Sequence, residues 1–207
     1  MLILNDKQIH ILQLAEKLFA ENGFDGTSIR DIAKEANVNI AMISYYFGSK
    51  EKLLEYLIIN SLQNFRIQIA NVFFEEITPI EKIEKFIDLY LTNMNENKHI
   101  YQIIHFEISY KKRALDLSDF KEIKKNNLDT LTKIISEGQV KKVFKDTVCI
   151  PLIIPTIIGT FFNFHSNLPF FKDVLKLETN QECNSFINQE LTNHIKCAIK
   201  SLLLYEN

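Results

Sequence analysis

Apolar side chains recur at intervals of three and four residues along most of this chain, which is the spacing of an amphipathic helix. In the first such segment the apolar positions are Ile9, Leu12, Ala15 and Phe19. Asn5 with Gln8 has the spacing of a capping box, and Gly23 with Phe24 is typical of a helix C-terminus. The pattern therefore predicts a first helix from about residue 6 to residue 22.

Two very short apolar segments follow the first helix. Ser28, with a carboxylate three residues later, predicts a second helix that ends near residue 36. A third segment covers about 40–47 and is closed by Gly48. A fourth, longer helix is predicted to begin at Lys50. The second and third helices are too short to form a core by themselves.

The remainder of the chain continues in helical periodicity. Capping boxes are predicted at Thr78 with Glu81 and at Thr179 with Glu182. The other periodic segments lie at about 79–93, 98–110, 118–137 and 147–167, with a final helix after 179. The pattern predicts an all-α protein of about nine helices, with no internal repeat.

The composition agrees with an all-α fold. The 207 residues include four prolines and five glycines, too few for turn-rich β structure, and 46% are apolar. The cysteines are odd in number, widely spaced and free of C-x-x-C patterns, so neither a disulfide framework nor a zinc site is expected. The N-terminus lacks the features of a secretory signal, and a cytoplasmic location is the simplest expectation.

One segment supports a different class of protein. Residues 147–171 contain no Asp, Glu, Lys or Arg, which suggests a membrane-associated or protein-interaction helix. Pro151, Pro155 and the polar residues of its second half interrupt the apolar run. We therefore favour a helix that protein buries on most sides, and keep the membrane-associated or interaction protein as the alternative.

The two short helices are joined by Asn37-Val38-Asn39 and have the lengths of a helix-turn-helix. In that motif the second helix lies in the major groove of DNA, and about two turns suffice because its first residues face the base edges. Ile32, Ala33, Val38 and Ile43 are expected to join the two helices. The face left for DNA comprises Asn39, Ile40, Met42, Ser44, Tyr45 and Tyr46.

The stretch T27-S-I-R-D-I-A-K-E-A-N-V-N-I-A-M-I-S-Y-Y-F-G-S-K-E-K-L-L54 resembles the DNA-binding signature of the TetR (tetracycline-repressor) family of bacterial transcriptional regulators. The resemblance implies phosphate contacts from Thr27, Ser28 and Lys50. It also implies base contacts from the start of the third helix, and backbone contacts from the aromatic pair. Those further positions are Asn39, Ile40, Ala41, Met42, Tyr45 and Tyr46.

The same resemblance implies the organisation of the whole molecule. It predicts a helix-turn-helix domain at 1–49 and a helical ligand-binding and dimerisation domain at 50–207. It further implies a homodimer on a palindromic operator, released by a small effector, and most often a repressor. No cofactor is expected.

Two features depart from the simplest form of this interpretation. Ile40 and Met42 cannot donate hydrogen bonds to bases, so readout is expected to use Asn39, Ser44 and Tyr45, with apolar contacts to thymine methyl groups. Residues 1–54 carry six Lys and Arg against seven Asp and Glu. The few cations predict a shallow dependence of DNA binding on salt.

An effector pocket is expected where aromatic residues are dense and charges are few in the C-terminal helices. The candidate lining residues are Phe86, Tyr90, Tyr101, His105, Phe161 and Phe162. His105 is expected either to orient a ligand or to be an ordinary core histidine. No histidine pair has the spacing of a zinc motif, and no catalytic constellation is present, so neither a metal site nor an enzyme is predicted.

Dimerisation is predicted through the last two long helices. The penultimate one is apolar around most of its circumference, with Gly159 allowing close approach near Phe162. The final helix carries a stripe that could be buried within its own bundle or against a partner. That stripe comprises Ile187, Leu191, Ile195, Ala198, Ile199 and Leu202.

Overall fold

The computed structural model describes residues 4–110 and 115–205, and the part it describes is built from helices. They are α1 Asp6–Gly26, α2 Ile29–Glu35, α3 Ile40–Phe47, α4 Lys50–Val72, α5 Pro79–Glu96, α6 Lys98–Tyr110, α7 Ser118–Val140, α8 Ile153–Ser166, α9 Leu168–Leu175, α10 Asn180–Phe186 and α11 Thr192–Leu203. A 3₁₀ turn, Ile150–Leu152, precedes α8, and a π turn, Ile187–Leu191, joins α10 to α11 without a break. The predicted all-α fold is confirmed.

The chain divides into two compact units. The first combines residues 4–65 with 96–124, and the second combines 66–95 with 125–205. This grouping does not coincide with the predicted division after residue 49, because α6 packs against α1 in the first unit.

The first unit is built around α1, which packs against both α2 and α6. Its periodic residues Ile11, Leu12, Ala15 and Phe19 are buried, in keeping with the helical spacing of the sequence. Gly23 departs from helical geometry with φ 72° and ψ 165°, a conformation open essentially to glycine alone, and produces the kink near the end of α1. The helix then continues to Gly26, four residues beyond the predicted end.

The second unit is held by apolar burial and by ion pairs among its helices. Glu84 and Asp88 of α5 bind Lys200 and Lys196 of α11, with N–O distances of 2.7 and 2.6 Å. On another side of α5 the buried ammonium of Lys82 donates to Glu137 of α7 at 2.8 Å. These pairs fix the relative positions of α5, α7 and α11.

The segment predicted as one helix from 147 to 167 is divided. A 3₁₀ turn carries Pro151, α8 starts at Ile153, and Pro155 falls in its first turn, where the missing N–H costs little. The separate helix α9, which has Pro169 in its first turn, was not predicted. With α10, the π turn and α11 counted as one, the described residues form ten helices instead of about nine. Among the described helices none is long and apolar enough to cross a membrane.

Candidate DNA interface

The turn from α2 to α3 is held by backbone hydrogen bonds and by buried side chains. The Val38 amide donates to the Ala33 carbonyl at 2.9 Å, and Asn37 adopts a positive φ of 50° that asparagine tolerates. Ile32, Ala33 and Ile43 are buried. The short helices therefore have a fixed crossing, as the helix-turn-helix motif requires.

α3 turns large side chains outward. Tyr45 is 85% exposed and Ile40 is 41% exposed, and neither is needed for the core of the first unit. Asn39, Ala41 and Ser44 are also exposed, whereas Met42 and Tyr46 are half-buried. The Asn39 side chain accepts from the Ala41 amide at 2.8 Å and caps the helix. The exposed face thus contains Asn39, Ile40, Ala41, Ser44 and Tyr45, and their contacts with DNA stay a prediction.

Aromatic packing fixes the far end of α3. The Tyr45 and Tyr46 rings lie 5.5 Å apart, Tyr46 meets Phe47 at 6.2 Å, and buried Phe47 meets Tyr56 of α4 at 5.5 Å. Phe47, which lies directly before Gly48, is 4% exposed and belongs to the core of the first unit. These successive ring contacts orient Tyr45 through Tyr46 and Phe47, and the Tyr45 ring remains accessible.

Ser28 is exposed and caps α2. Its hydroxyl donates to Asp31 at 2.6 Å and its amide donates to the same carboxylate at 2.8 Å. These two hydrogen bonds, the hydroxyl's above all, lower the pKa of Asp31 below its ordinary value. Arg30, which lies beside Ser28 on α2, is also exposed and was not among the predicted contacts. Its guanidinium suits phosphate recognition, and the R-D-I-A run of the family signature is the sequence signal for this position.

Two residues with predicted phosphate contacts have hydrogen-bond partners within the chain. Thr27 is only 2% exposed, and its hydroxyl donates to the carbonyls of Leu18 and Gly23 at 3.0 and 2.9 Å. The Lys50 ammonium donates to the carbonyls of Phe24 and Thr27, each at 2.9 Å. Both side chains are engaged inside the first unit of the DNA-free chain. Their contacts with DNA stay a prediction.

The residues predicted for an effector pocket are divided between the two units. Phe86, Tyr90 and Phe161 are buried in the second unit, where Phe162 is half-buried. Tyr101 and His105 belong to the first unit, where His105 is exposed, so it is not a core histidine. The six-residue pocket stays a prediction.

The predicted dimer stripe is mostly covered within one chain. Ile187, Leu191, Ile195 and Ile199 are at most 7% exposed, which makes them core residues of the second unit. Of the predicted set, the exposed positions are Gly159 and Leu202, while Ala198 and Phe162 are half-buried. A partner surface on these helices therefore uses the outward side of α8 and α11, where Gly159, Ala198 and Leu202 lie, and it stays a prediction.

That side borders an open groove of about 710 Å³ in the second unit. The groove is lined by residues of α8, α9, α10, the π turn and α11, including Gly159, Asn163, Phe171, Glu190 and His194. A Cβ atom added at Gly159 would meet nothing within 4 Å. The outward side of α8 at Gly159 is thus accessible in a single chain.

The fixed crossing of α2 and α3, the short exposed α3 and the helical second unit together define a helix-turn-helix DNA-binding regulator. Residues 11–57 match the family model described as "Bacterial regulatory proteins, tetR family", and residues 79–192 match "Tetracyclin repressor-like, C-terminal domain". The chain belongs to the tetR family of bacterial regulatory proteins.

Curated relatives and solved structures resemble the chain over most of its length. The HTH-type transcriptional repressor NicS of Pseudomonas putida is 28% identical over 167 residues, which cover 76% of this chain and 75% of NicS. The fatty acid metabolism regulator protein of Bacillus subtilis is 26% identical over 155 residues, which cover 74% of this chain and 79% of that protein.

Two solved structures share the fold. The ketosteroid transcriptional regulator KstR2 of Mycobacterium tuberculosis aligns with a TM-score of 0.71 at 17% identity, over 99% of this chain and 98% of its own. The regulator FadR of Bacillus subtilis, solved in complex with stearoyl-CoA, aligns with a TM-score of 0.71 at 22% identity. The alignment covers 93% of this chain and 97% of the FadR chain. These likenesses support the fold alone.

Proposed function

We propose that this tetR-family regulator is a repressor that binds a palindromic operator as a homodimer and leaves it when a small apolar or aromatic effector binds. NicS and the KstR2 relatives carry the name of repressors, which favours repression over activation for this chain. The operator is read by α3, and the effector is bound by the second unit.

The observation that carries the proposal is the outward face of α3. A short helix gains nothing for its own fold by exposing Ile40 and most of Tyr45 to water. In a major groove the Ile40 side chain can contact thymine methyl groups, and Asn39 and Ser44 can hydrogen-bond to base edges. Tyr45 and Tyr46 then reach the DNA backbone, joined by Ser28 and Arg30 from α2.

The predicted role of Met42 is narrower than that of Ile40. Met42 is half-buried while Ile40 and Ala41 are more exposed. We therefore assign direct apolar readout to Ile40 and Ala41, and a supporting contact to Met42.

The homodimer is proposed to use the outward sides of α8 and α11. Gly159 on α8 and Ala198 on α11 are small residues that permit two helices to approach closely, and Leu202 adds apolar area at 51% exposure. A palindromic operator requires the dimer to present its two α3 helices to successive major grooves, which lie about 34–36 Å apart.

The effector is proposed to bind among the aromatic residues of the second unit. Tyr90 and Asn127 are buried there, and the Asn127 amide donates to the Tyr90 hydroxyl at 3.0 Å. Burial raises the pKa of Tyr90, so this hydroxyl stays neutral at physiological pH. A neutral polar pair in an apolar core suits an apolar ligand with one or two polar groups. FadR, whose structure contains stearoyl-CoA, is a relative whose ligand has a long apolar chain.

Selection from a pool of random duplex DNA tests the central part of the proposal. The wild-type protein is expected to enrich an inverted repeat whose half-sites are centred about one helical turn apart. Tyr45→Ala should lose the enrichment because the most exposed side chain of α3 is removed. Tyr205→Ala removes a tyrosine that is 50% exposed in the second unit and serves as the matched control. Enrichment of no sequence by the folded wild-type protein would contradict operator binding.

A further inference from the structure

We infer that Lys50 is a positioning residue that caps the end of α1 and thereby sets where α2 and the DNA-reading helix begin. The inference deepens the proposed operator binding and rests on it in one of two tests. The salt-dependence test needs the operator, whereas the hydrogen-exchange test uses the DNA-free protein. It is an alternative to the phosphate contact that the sequence predicts for this lysine.

The geometry around the Lys50 ammonium is that of a cap. Its Nζ donates to the Phe24 and Thr27 carbonyls, each at 2.9 Å, and lies 4.2 Å from the centre of the Phe24 ring. Phe24 itself is buried and packs on Phe19 with ring centres 5.1 Å apart. The ammonium is therefore held by two carbonyl oxygens and an aromatic face that belongs to the core.

A cation stabilises the C-terminal end of a helix such as α1. The last carbonyl groups of a helix lack intrahelical partners and carry the negative end of the helix dipole. The last turn of α1 contains no basic residue, so the helix does not supply this charge itself. Lys50, from the first turn of α4, supplies it from outside the helix.

The cap also fixes the start of α2. The Thr27 carbonyl that accepts from Lys50 belongs to the residue directly before Ser28, the N-cap of α2. The Thr27 hydroxyl ties the same residue to the carbonyls of Leu18 and Gly23. Thr27 is thus held from two sides, and the direction in which α2 leaves α1 follows from both contacts.

Two of the three donors of the Lys50 ammonium are committed to the cap in the DNA-free chain. Transfer of Lys50 to a phosphate would leave two carbonyls at the end of α1 without their charged partner.

Hydrogen exchange of the DNA-free protein tests the inference first. Lys50→Met keeps the apolar stem and removes the donors, and it should speed exchange of the amides of 28–33 on the order of tenfold, because a charge-assisted restraint on the start of α2 is lost. Lys52→Met is the matched control, since Lys52 lies in the same helical turn and its ammonium pairs with Glu55 instead. Its exchange over 28–33 should equal that of the wild type.

Lys50→Arg keeps a cation with several donors and should restore most of the protection. A Lys50→Met chain that fails to fold while Lys50→Arg folds supports the same assignment. Unchanged exchange over 28–33 in a folded Lys50→Met protein overturns it.

The salt dependence of operator binding gives the second test. A positioning role predicts weaker binding by Lys50→Met with the slope of log K against log salt unchanged. A phosphate contact predicts a slope shallower by about 0.9 with normal exchange in the free protein, and that pair of results contradicts the inference. If no operator is found, the proposed function fails while the exchange experiment still decides the role of Lys50.

Discussion

Helices α3 and α8 both lack Asp, Glu, Lys and Arg, yet they turn different side chains to the outside. α3 buries only Ile43 and Phe47 and exposes most of Tyr45. α8 buries five large residues and exposes Thr156, Gly159 and Asn163, which are small or polar. An absence of charge therefore has two different causes in one chain.

The difference between these helices reflects what each must contact. A helix that reads DNA has to project side chains into a groove, so large groups remain outside even though water solvates them poorly. A helix that packs on its own bundle places its large groups inside, and a flat outer side is what a symmetry-related helix needs for close approach. The contrast predicts that mutations in α8 change stability or assembly, whereas mutations on the face of α3 change DNA binding.

The largest effect is expected from Ile157→Ala in α8. Ile157 is fully buried, and its truncation should lower the free energy of unfolding by about 2–5 kcal/mol through lost burial and the cavity left behind. Urea denaturation measures the change. Thr156→Ala, on the exposed side of the same turn, should change stability by less than about 0.5 kcal/mol. Equal losses for the two variants would contradict the burial pattern of α8.

Gly159→Glu tests the outward side of α8. The single chain offers open space at this position, so the circular dichroism spectrum should not change. Two like charges near a two-fold axis should raise the dissociation constant of the dimer by roughly 100-fold. Sedimentation velocity gives the result, with Thr92→Glu on exposed α5 surface as control. A dimer as tight as wild type would exclude this face from the interface.

Gly48→Ala tests the end of α3. Gly48 has φ 79° and ψ −72°, and no atom lies within 4 Å of an added Cβ, so the cost is backbone strain alone. The free energy of unfolding should fall by about 1–2 kcal/mol. Thermal unfolding of Gly48→Ala and of the control Gly26→Ala measures this cost. Gly26 does not have a positive φ, so alanine there carries no such backbone strain. A stability equal to wild type would mean that α3 does not need this turn to end.

The smallest effect is expected on the pKa of Asp31, the carboxylate in the first turn of α2 that accepts from the Ser28 cap. Ser28→Ala removes the hydroxyl bond to Asp31 and should raise the pKa of that carboxyl toward its ordinary value of 3.8. Because the pKa of Asp31 is lowered in the folded protein, its contribution is fully present above about pH 3.8 and is lost as the pH falls through the folded value. Carbon-detected NMR titration of Asp31 measures both variants. Identical titration curves would show that the hydroxyl bond is not formed in solution.

Local rules account for much that the sequence predicted correctly. The capping boxes at Ser28, Thr78 and Thr179 depend on residues three apart, and each is present in the structure. Gly48 ends α3 where expected because the required conformation favours glycine. The starts of these capped helices and the end of α3 could therefore be predicted without knowledge of distant contacts.

What the sequence missed depends on distant contacts. Lys50 meets carbonyls that lie 23 and 26 residues away, and no local pattern distinguishes such a lysine from one that binds phosphate. The stripe on α11 is equally consistent with a partner chain and with its own bundle, and only the fold determines that Ile195 and Ile199 are core residues. Periodicity identifies an apolar face, but it does not identify what covers that face.

Operator affinity of a paired variant tests the role of α3 most directly. Ile40→Ala combined with Tyr45→Ala should weaken binding to the selected duplex by about 100-fold in fluorescence anisotropy, since each lost contact is worth about 1–3 kcal/mol. The matched control combines Ile67→Ala with Tyr205→Ala, two residues that are each 50% exposed outside the first unit. The account predicts control affinity within about threefold of wild type, a difference of less than about 1 kcal/mol. Equal affinity of the α3 variant and wild type, with both proteins folded and dimeric, would contradict the assignment of α3 as the DNA-reading helix.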